Sequence, residues 1–307
     1  MLTYAVRRLF GAVPTLFVIV TLAFFMMRLA PGGPFDGERM VPAEIEANLL
    51  RAYELDRPLL AQYAAYLGGV LTGDLGPSFK YKDFSVGELI RNGLPVSLRI
   101  GGIAIVGAAL AGATLGSIAA LRRNTVLDRA LMTGAIAGVA VPTFVVAPFL
   151  SLVFGVYLAW LPVAGWGDGQ WRHLVLPVVA LALPQVAYVA RLTRAGLIEI
   201  LRSDFIRTAR AKGLPERAVL FRHALRGALL PVVSYLGPAT AGILTGSVVI
   251  EQIFGLPGIG RHFVQGALNR DYTLVMGVVV FYGALIILFN LVVDLLYGAL
   301  DPRVRYD

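Results

Sequence analysis

Long apolar stretches alternate with shorter polar ones along almost the whole chain. The first runs over residues 9–29, preceded by Arg7 and Arg8 and interrupted only by Arg28 near its far end. At about 1.5 Å per residue a run of that length crosses the roughly 30 Å hydrocarbon core of a bilayer. It is long for the apolar part of a secretory leader, and no small-x-small cleavage pattern follows it, so it reads as a retained first helix. Runs over residues 95–121, about 130–160, 173–190, about 228–250 and 274–300 predict five more spans. The expected fold is therefore all-α: a polytopic membrane protein with six transmembrane helices.

Details within the runs sharpen this picture. Gly101, Gly102, Gly107, Gly112 and Gly116 in the second run allow close backbone approach and predict a crowded position in a bundle. Pro142 and Pro148 predict a bend in the third, because proline lacks the N–H that an unbroken helix needs. Arg99 lies near one end of its span, where its long stem reaches the interface, and Trp160, Trp166 and Trp171 crowd a loop like an interfacial aromatic belt.

Loop charge then predicts orientation. Residues 31–94 hold nine acids against six bases, a balance of −3 that suits the outer side. Pro42 and Pro58 each predict a helix start there, and Leu59, Tyr63, Tyr66, Leu67 and Val70 form an apolar stripe that covers the bundle rim or binds a partner. The short loop with Arg122, Arg123, Asp128 and Arg129 is basic, and residues 191–226 carry nine bases against three acids, a balance of +6. By the positive-inside rule these face the cytoplasm, as do both termini. The expected organisation is a tip and first helix over 1–30, an extracytoplasmic segment over 31–94 and a five-helix core over 95–307. The core includes a cytoplasmic loop at about 191–227.

Composition agrees. With 57% hydrophobic and 15% charged residues and a mean hydropathy of +0.74, the chain lies far from the roughly half-apolar, quarter-charged soluble average. Its 307 residues leave no room for a separate nucleotide-binding domain beside such a bundle. The absence of cysteine removes disulfides and thiolate metal sites, and the net charge of +8 belongs to the loops rather than to a nucleic-acid surface.

Catalytic patterns are missing as well. His173, His223 and His262 are far apart, and no HExxH, G-x-S-x-G or GxxxxGK[ST] occurs. Gly255, Gly258 and Gly260 lack the strand–helix context of a dinucleotide loop. Asp294 reads as the only acid well inside an apolar span, with a structural pairing favoured over ion coupling.

The stretch over residues 203–231 has too much charge for a bilayer interior and too much pattern for a passive loop. Ser203 or Asp204 is placed to cap a short helix, Gly213 to end it in the left-handed region, and Pro215 to begin a second. In that second helix Ala218, Phe221 and Leu225 are expected to share one face, and Arg222 and Arg226 another. A docking surface and an amphipathic linker lying on anionic lipid are the two readings this pattern allows.

Arg207-Thr208-Ala209-Arg210-Ala211-Lys212-Gly213 resembles the coupling-loop motif of permease subunits from ABC importers, in its peptide and nickel branch. Further stretches agree in order: Gly73-Asp74-Leu75-Gly76 with Pro77-Ser78-Phe79, Pro142-Thr143-Phe144-Val145, Val249 to Gly260, Asn269-Arg270-Asp271-Tyr272 and Asp301-Pro302-Arg303. Arg207 stands where the general motif has glutamate, and the distance from Gly213 to Leu230-Pro231 is longer, as is usual in the peptide branch. Met26 to Gly32 and Phe79 to Asp83 resemble the B-type permeases of bacterial oligopeptide importers.

This resemblance implies a type I importer permease fold in the inner membrane. The implied ATPase-coupling residues are Phe205, Ile206, Arg207, Thr208, Ala209, Arg210, Ala211, Lys212, Gly213 and Leu214. Implied partners are a second, C-type permease, two ABC ATPase subunits that bind the ATP and Mg, and an extracytoplasmic peptide-binding protein. No cofactor is expected in this chain and no nucleic acid among its partners. Dipeptides, nickel chelates or short oligosaccharides are alternative cargoes, and an ion-coupled secondary transporter is the alternative mechanism.

Overall fold

The computed structural model describes residues 2–29, 33, 47–48, 50–51 and 53–300; within these, side chains are described except at 2–9, 245–246 and 293–300. Pro42 and the side chain of Asp294 therefore lie outside the described residues. The chain opens with α1 (Leu2–Leu29), which carries Pro14 inside it. Next comes α2 (Leu59–Thr72), preceded by Pro58 and ended by Gly73 in the left-handed region. Two residues of the expected stripe pack onto α1, while its Leu59 is exposed: the Tyr66 ring stacks on Phe24 at 5.8 Å, and the Tyr63 hydroxyl bonds Thr21 at 2.6 Å. Leu60, one residue off that stripe, stays exposed.

Helix α3 (Val86–Leu121) begins nine residues before the expected start at Pro95, which the helix takes in. Its N-terminus is fixed by a capping box in which Ser85 Oγ accepts from the Glu88 N–H at 3.2 Å and Glu88 Oε2 accepts from the Ser85 N–H at 2.8 Å. Two otherwise orphaned N–H groups are satisfied in this way, so the polar first turn with Glu88 and Arg91 is helical rather than loop. Along α3 the glycines divide. A Cβ on Gly101 would meet Leu244, one on Gly112 the Val186 carbonyl and Val189, and one on Gly116 the Ala190 carbonyl, whereas Gly102 and Gly107 face open space.

The third span is broken. Helix α4 (Val126–Ala140) meets α5 (Thr143–Leu150) at a bend of 102°. Val141, held extended at φ −89° and ψ 120° before Pro142, is the break, because the proline ring excludes the helical region for its predecessor. Past Pro148 the helix continues as a π turn over Ser151–Tyr157. Helix α6 (Trp171–Ile200) then runs the full length of the bundle with Pro177 and Pro184 inside it. Arg99 lies with its guanidinium 5.8 Å from the Trp166 ring, in the loop just before α6.

Two short helices follow, α7 (Asp204–Ala211) and α8 (Glu216–Ala228). Helix α9 (Leu230–Ile253) returns through the bundle, α10 (Ile259–Leu268) lies across its end, and α11 (Tyr272–Leu300) completes the chain. Among the described residues four helices are long and apolar enough to cross a membrane, or six if the bent pairs α4–α5 and α8–α9 each make one span. The central core is shared by α3, α5, α6 and α9, with Ile100, Ala104, Ala147, Ala180 and Ile250 at its heart. Helix α1 packs against α11, where Gly283 lets Ile19 and Leu16 approach.

Candidate functional site

The segment after α6 is a two-helix projection packed on the end of the bundle. Its base is a small core of Ala120, Leu197, Ile206, Ala209, Val219, Ala224 and Ala228, drawn from α3, α6, α7 and α8. Gly196 makes the joint possible, since a Cβ there would lie 2.7 Å from the Ala228 carbonyl oxygen. Arg194, two residues earlier on α6, forms a forked ion pair with Asp128 on α4: Nε donates to Oδ1 at 2.6 Å and Nη2 to Oδ2 at 2.8 Å. The Asp128 side chain is only 3% exposed, and the Asn124 N–H also donates to it. The arginine that loop charge assigns to a basic surface is thus consumed in tying α6 to α4 before the projection begins.

Of the ten sequence-predicted residues, Ile206 and Ala209 are buried in the base and Leu214 is half-buried. Phe205, Arg207, Thr208, Arg210, Ala211, Lys212 and Gly213 are exposed. The pattern is that of a helix held by one narrow face while the rest is presented outward. Gly213 has φ +77°, the left-handed conformation expected of it and costly for any residue with a Cβ. Across that turn Arg210 Nε and Nη2 donate to the Glu216 carboxylate at 2.7 and 3.1 Å, a brace between the two helices. This pairing holds the Glu216 carboxyl below the usual range and raises the Arg210 guanidinium further.

Two details depart from the sequence expectation. The Ser203 hydroxyl donates back to the Ile200 carbonyl at 2.6 Å, closing the end of α6 instead of capping α7. In α8 the packed residues are Val219, Ala224 and Ala228, not Ala218, Phe221 and Leu225; Phe221 is 69% exposed. The cause is a π turn over Val219–Ala224, which adds a residue to the turn and rotates the buried face. A period of 3.6 does not anticipate it.

At the opposite end of the bundle residues 251–272 form a packed element. Glu251 is fully buried in the last turn of α9. Its carboxylate accepts from Ser97 Oγ and Ser247 Oγ at 2.7 Å each and from the Gly260 N–H at 2.8 Å, while Ser97 Oγ accepts from the Ile259 N–H at 3.0 Å. A buried carboxylate at the N-terminus of α10 is favoured by the free N–H groups there. Gly258 and Gly260 are glycines because a Cβ at either position would press on Glu251 or the Val248 backbone.

Asp271, also fully buried, accepts from Ser78 Oγ, from Thr273 Oγ1 at 3.0 Å and from the Leu274 N–H at 3.1 Å. It caps α11 and pins the loop before α3. The glycines here serve packing around a carboxylate, with no strand beside them among the described residues. Nor do three or more His, Asp or Glu residues group to hold a metal ion there.

An all-α chain of membrane-crossing helices, with a braced polar projection at one end, is a transport component in outline. Residues 112–306 match the family described as binding-protein-dependent transport system inner membrane component, and residues 1–98 match the N-terminal part of such membrane components. The chain belongs to this family and is a multi-pass inner-membrane permease component. It is similar to the oligopeptide transport system permease proteins OppB of Salmonella typhimurium and Escherichia coli, each 54% identical over 306 residues and covering all of both chains. The dipeptide transport system permease protein DppB of Bacillus subtilis is 45% identical, over 99% of this chain and 98% of its own. Among solved structures, a chain of the MetNI methionine ABC transporter shares the fold, with a TM-score of 0.57 and 17% identity over 69% of this chain and 96% of its own.

Proposed function

We propose that this chain is the B-type permease of an ABC importer that carries oligopeptides into the cytoplasm. In this reading residues 205–214 form the surface through which a separate ATPase drives it. The observation that carries the coupling role is the form of α7: Ile206 and Ala209 anchor it to the end of α6, while Phe205, Arg207, Thr208 and Lys212 project from it. A push on that outer face is transmitted into α6, and through the Asp128–Arg194 fork into α4 and the 102° bend beyond it. Full-length similarity to proteins named for oligopeptide transport supports the cargo. On this proposal the basic end faces the cytoplasm, ATP and Mg are held by two partner ATPases, and a second, C-type permease completes the pore. An extracytoplasmic binding protein delivers the peptide.

The dipeptide reading has its own support in the relative from Bacillus subtilis. Purifying the chain with its natural subunits and measuring uptake of labelled di-, tri- and pentapeptides separates the two. Two ATPase subunits per complex and ATP-dependent uptake of the longer peptides are expected. A complex without ATPases, or uptake that collapses with the proton gradient alone, overturns the proposal.

A further inference from the structure

An apolar cleft of about 340 Å³ at the basic end plays no part in the coupling just described. One wall is the last turns of α3, with Ser117 and Leu121; the other is α8, with Leu220, Phe221 and Leu225. Phe221 and Leu121 are well exposed there, at 69% and 53%. The hydroxyls in the wall are already committed, since Thr114 and Ser117 donate to the carbonyls of Leu110 and Ala113 in their own helix at 2.7 Å each. The cleft therefore presents hydrocarbon rather than hydrogen-bonding groups, and an aqueous or peptide ligand gains little in it.

Basic residues adjoin its lining residues in the sequence. Arg122 and Arg123 follow Leu121 directly, Arg222 adjoins Phe221 and Arg226 adjoins Leu225, and all four are exposed. None forms a close ion pair among the described residues: Asp128 is forked by Arg194 and only acted on at longer range by Arg123, and Glu216 is engaged by Arg210. Apolar walls next to exposed guanidinium groups fit an amphiphile with an anionic head, and guanidinium forks match phosphate oxygens.

We propose that the cleft is a binding site for an anionic phospholipid, with one acyl chain between α3 and α8 and the phosphate held by Arg222 and Arg226, assisted by Arg122 and Arg123. A helix of another membrane subunit suits the site less well. On the sidedness proposed above, its own loops at this end are basic too and bring like charge against the four arginines.

The test uses the full chain purified with its partner subunits and reconstituted in vesicles of brominated phosphatidylglycerol or brominated phosphatidylcholine. Each lipid is present in both leaflets, so orientation does not affect the outcome. The fluorescence of Phe221→Trp, corrected for the unmodified protein, is expected to be quenched by the anionic lipid with about five-fold preference. That ratio corresponds to roughly one arginine's attraction to an anionic surface. The preference falls to about one in Arg222→Gln/Arg226→Gln. Val106→Trp, on the exposed face of α3 away from the cleft, is quenched equally by both lipids, and Ile118→Trp reads the opposite wall if the Phe221 variant does not assemble. Equal quenching of the cleft tryptophan by the two lipids overturns the proposal. So does protection from both, which identifies a protein segment as the occupant.

Discussion

Charge is used in opposite ways at the two ends of the bundle. At the α10 end, Glu251 and Asp271 are fully buried and held by hydroxyls and helix N–H groups, so they fix the relative positions of α3, α9, α10 and α11. At the basic end, most of the charged side chains of α7 and α8 are exposed, and the buried contacts beneath them are made by small apolar residues such as Ala209, Ala224 and Ala228. The first end is a lock built from acids whose removal leaves several groups unsatisfied. The second is a presented surface whose charges are nearly independent of folding. A substitution at one end should therefore register in stability, and at the other in activity.

The largest expected effect comes from Glu251→Leu. It leaves Ser97 and the Gly260 N–H without their acceptor and Ser247 with only the Leu244 carbonyl, at a cost of about 3–5 kcal/mol. A sharp fall in the thermal midpoint of the solubilised protein checks it, and an unchanged midpoint would break the contrast. Gly116→Leu places a side chain against the Ala190 carbonyl and Thr193, so overpacking of about 1–3 kcal/mol is expected, whereas Gly107→Leu, facing open space, should be tolerated. Ser85→Ala removes the cap of α3 and should cost about 1 kcal/mol in the same assay. At the other end, Arg210→Ala should leave the midpoint almost unmoved, because the brace is exposed, yet should lower uptake by loosening the turn at Gly213.

The same contrast explains what the sequence reveals. Hydrophobic runs and proline positions locate the spans and the break at Pro142, since both are local properties of the chain. The left-handed turn at Gly213 is legible for the same reason, because only a residue without a Cβ adopts it cheaply. The start of α3 was also within reach, as Ser85-Val86-Gly87-Glu88 is a capping-box pattern outweighed by the polar residues around it. The burial of Glu251 is hidden in the sequence because the Gly- and Pro-rich stretch after it has the composition of a turn-rich loop. Its buried role depends on Ser97, which is 154 residues away in sequence. The Asp128–Arg194 fork bridges 66 residues, and the π turn in α8 is set by packing on α6 and α7, so neither leaves a local trace.

The chain contains no cysteine, so a single one introduced as Thr208→Cys on the exposed face of α7 reports on that position alone. In intact cells this cysteine should resist membrane-impermeant maleimide. In the assembled complex a short bifunctional reagent should link it to an ATPase subunit, with a yield that changes when ATP is added. Labelling from outside the cell, or a link to lipid and permease but never to an ATPase, would contradict the account.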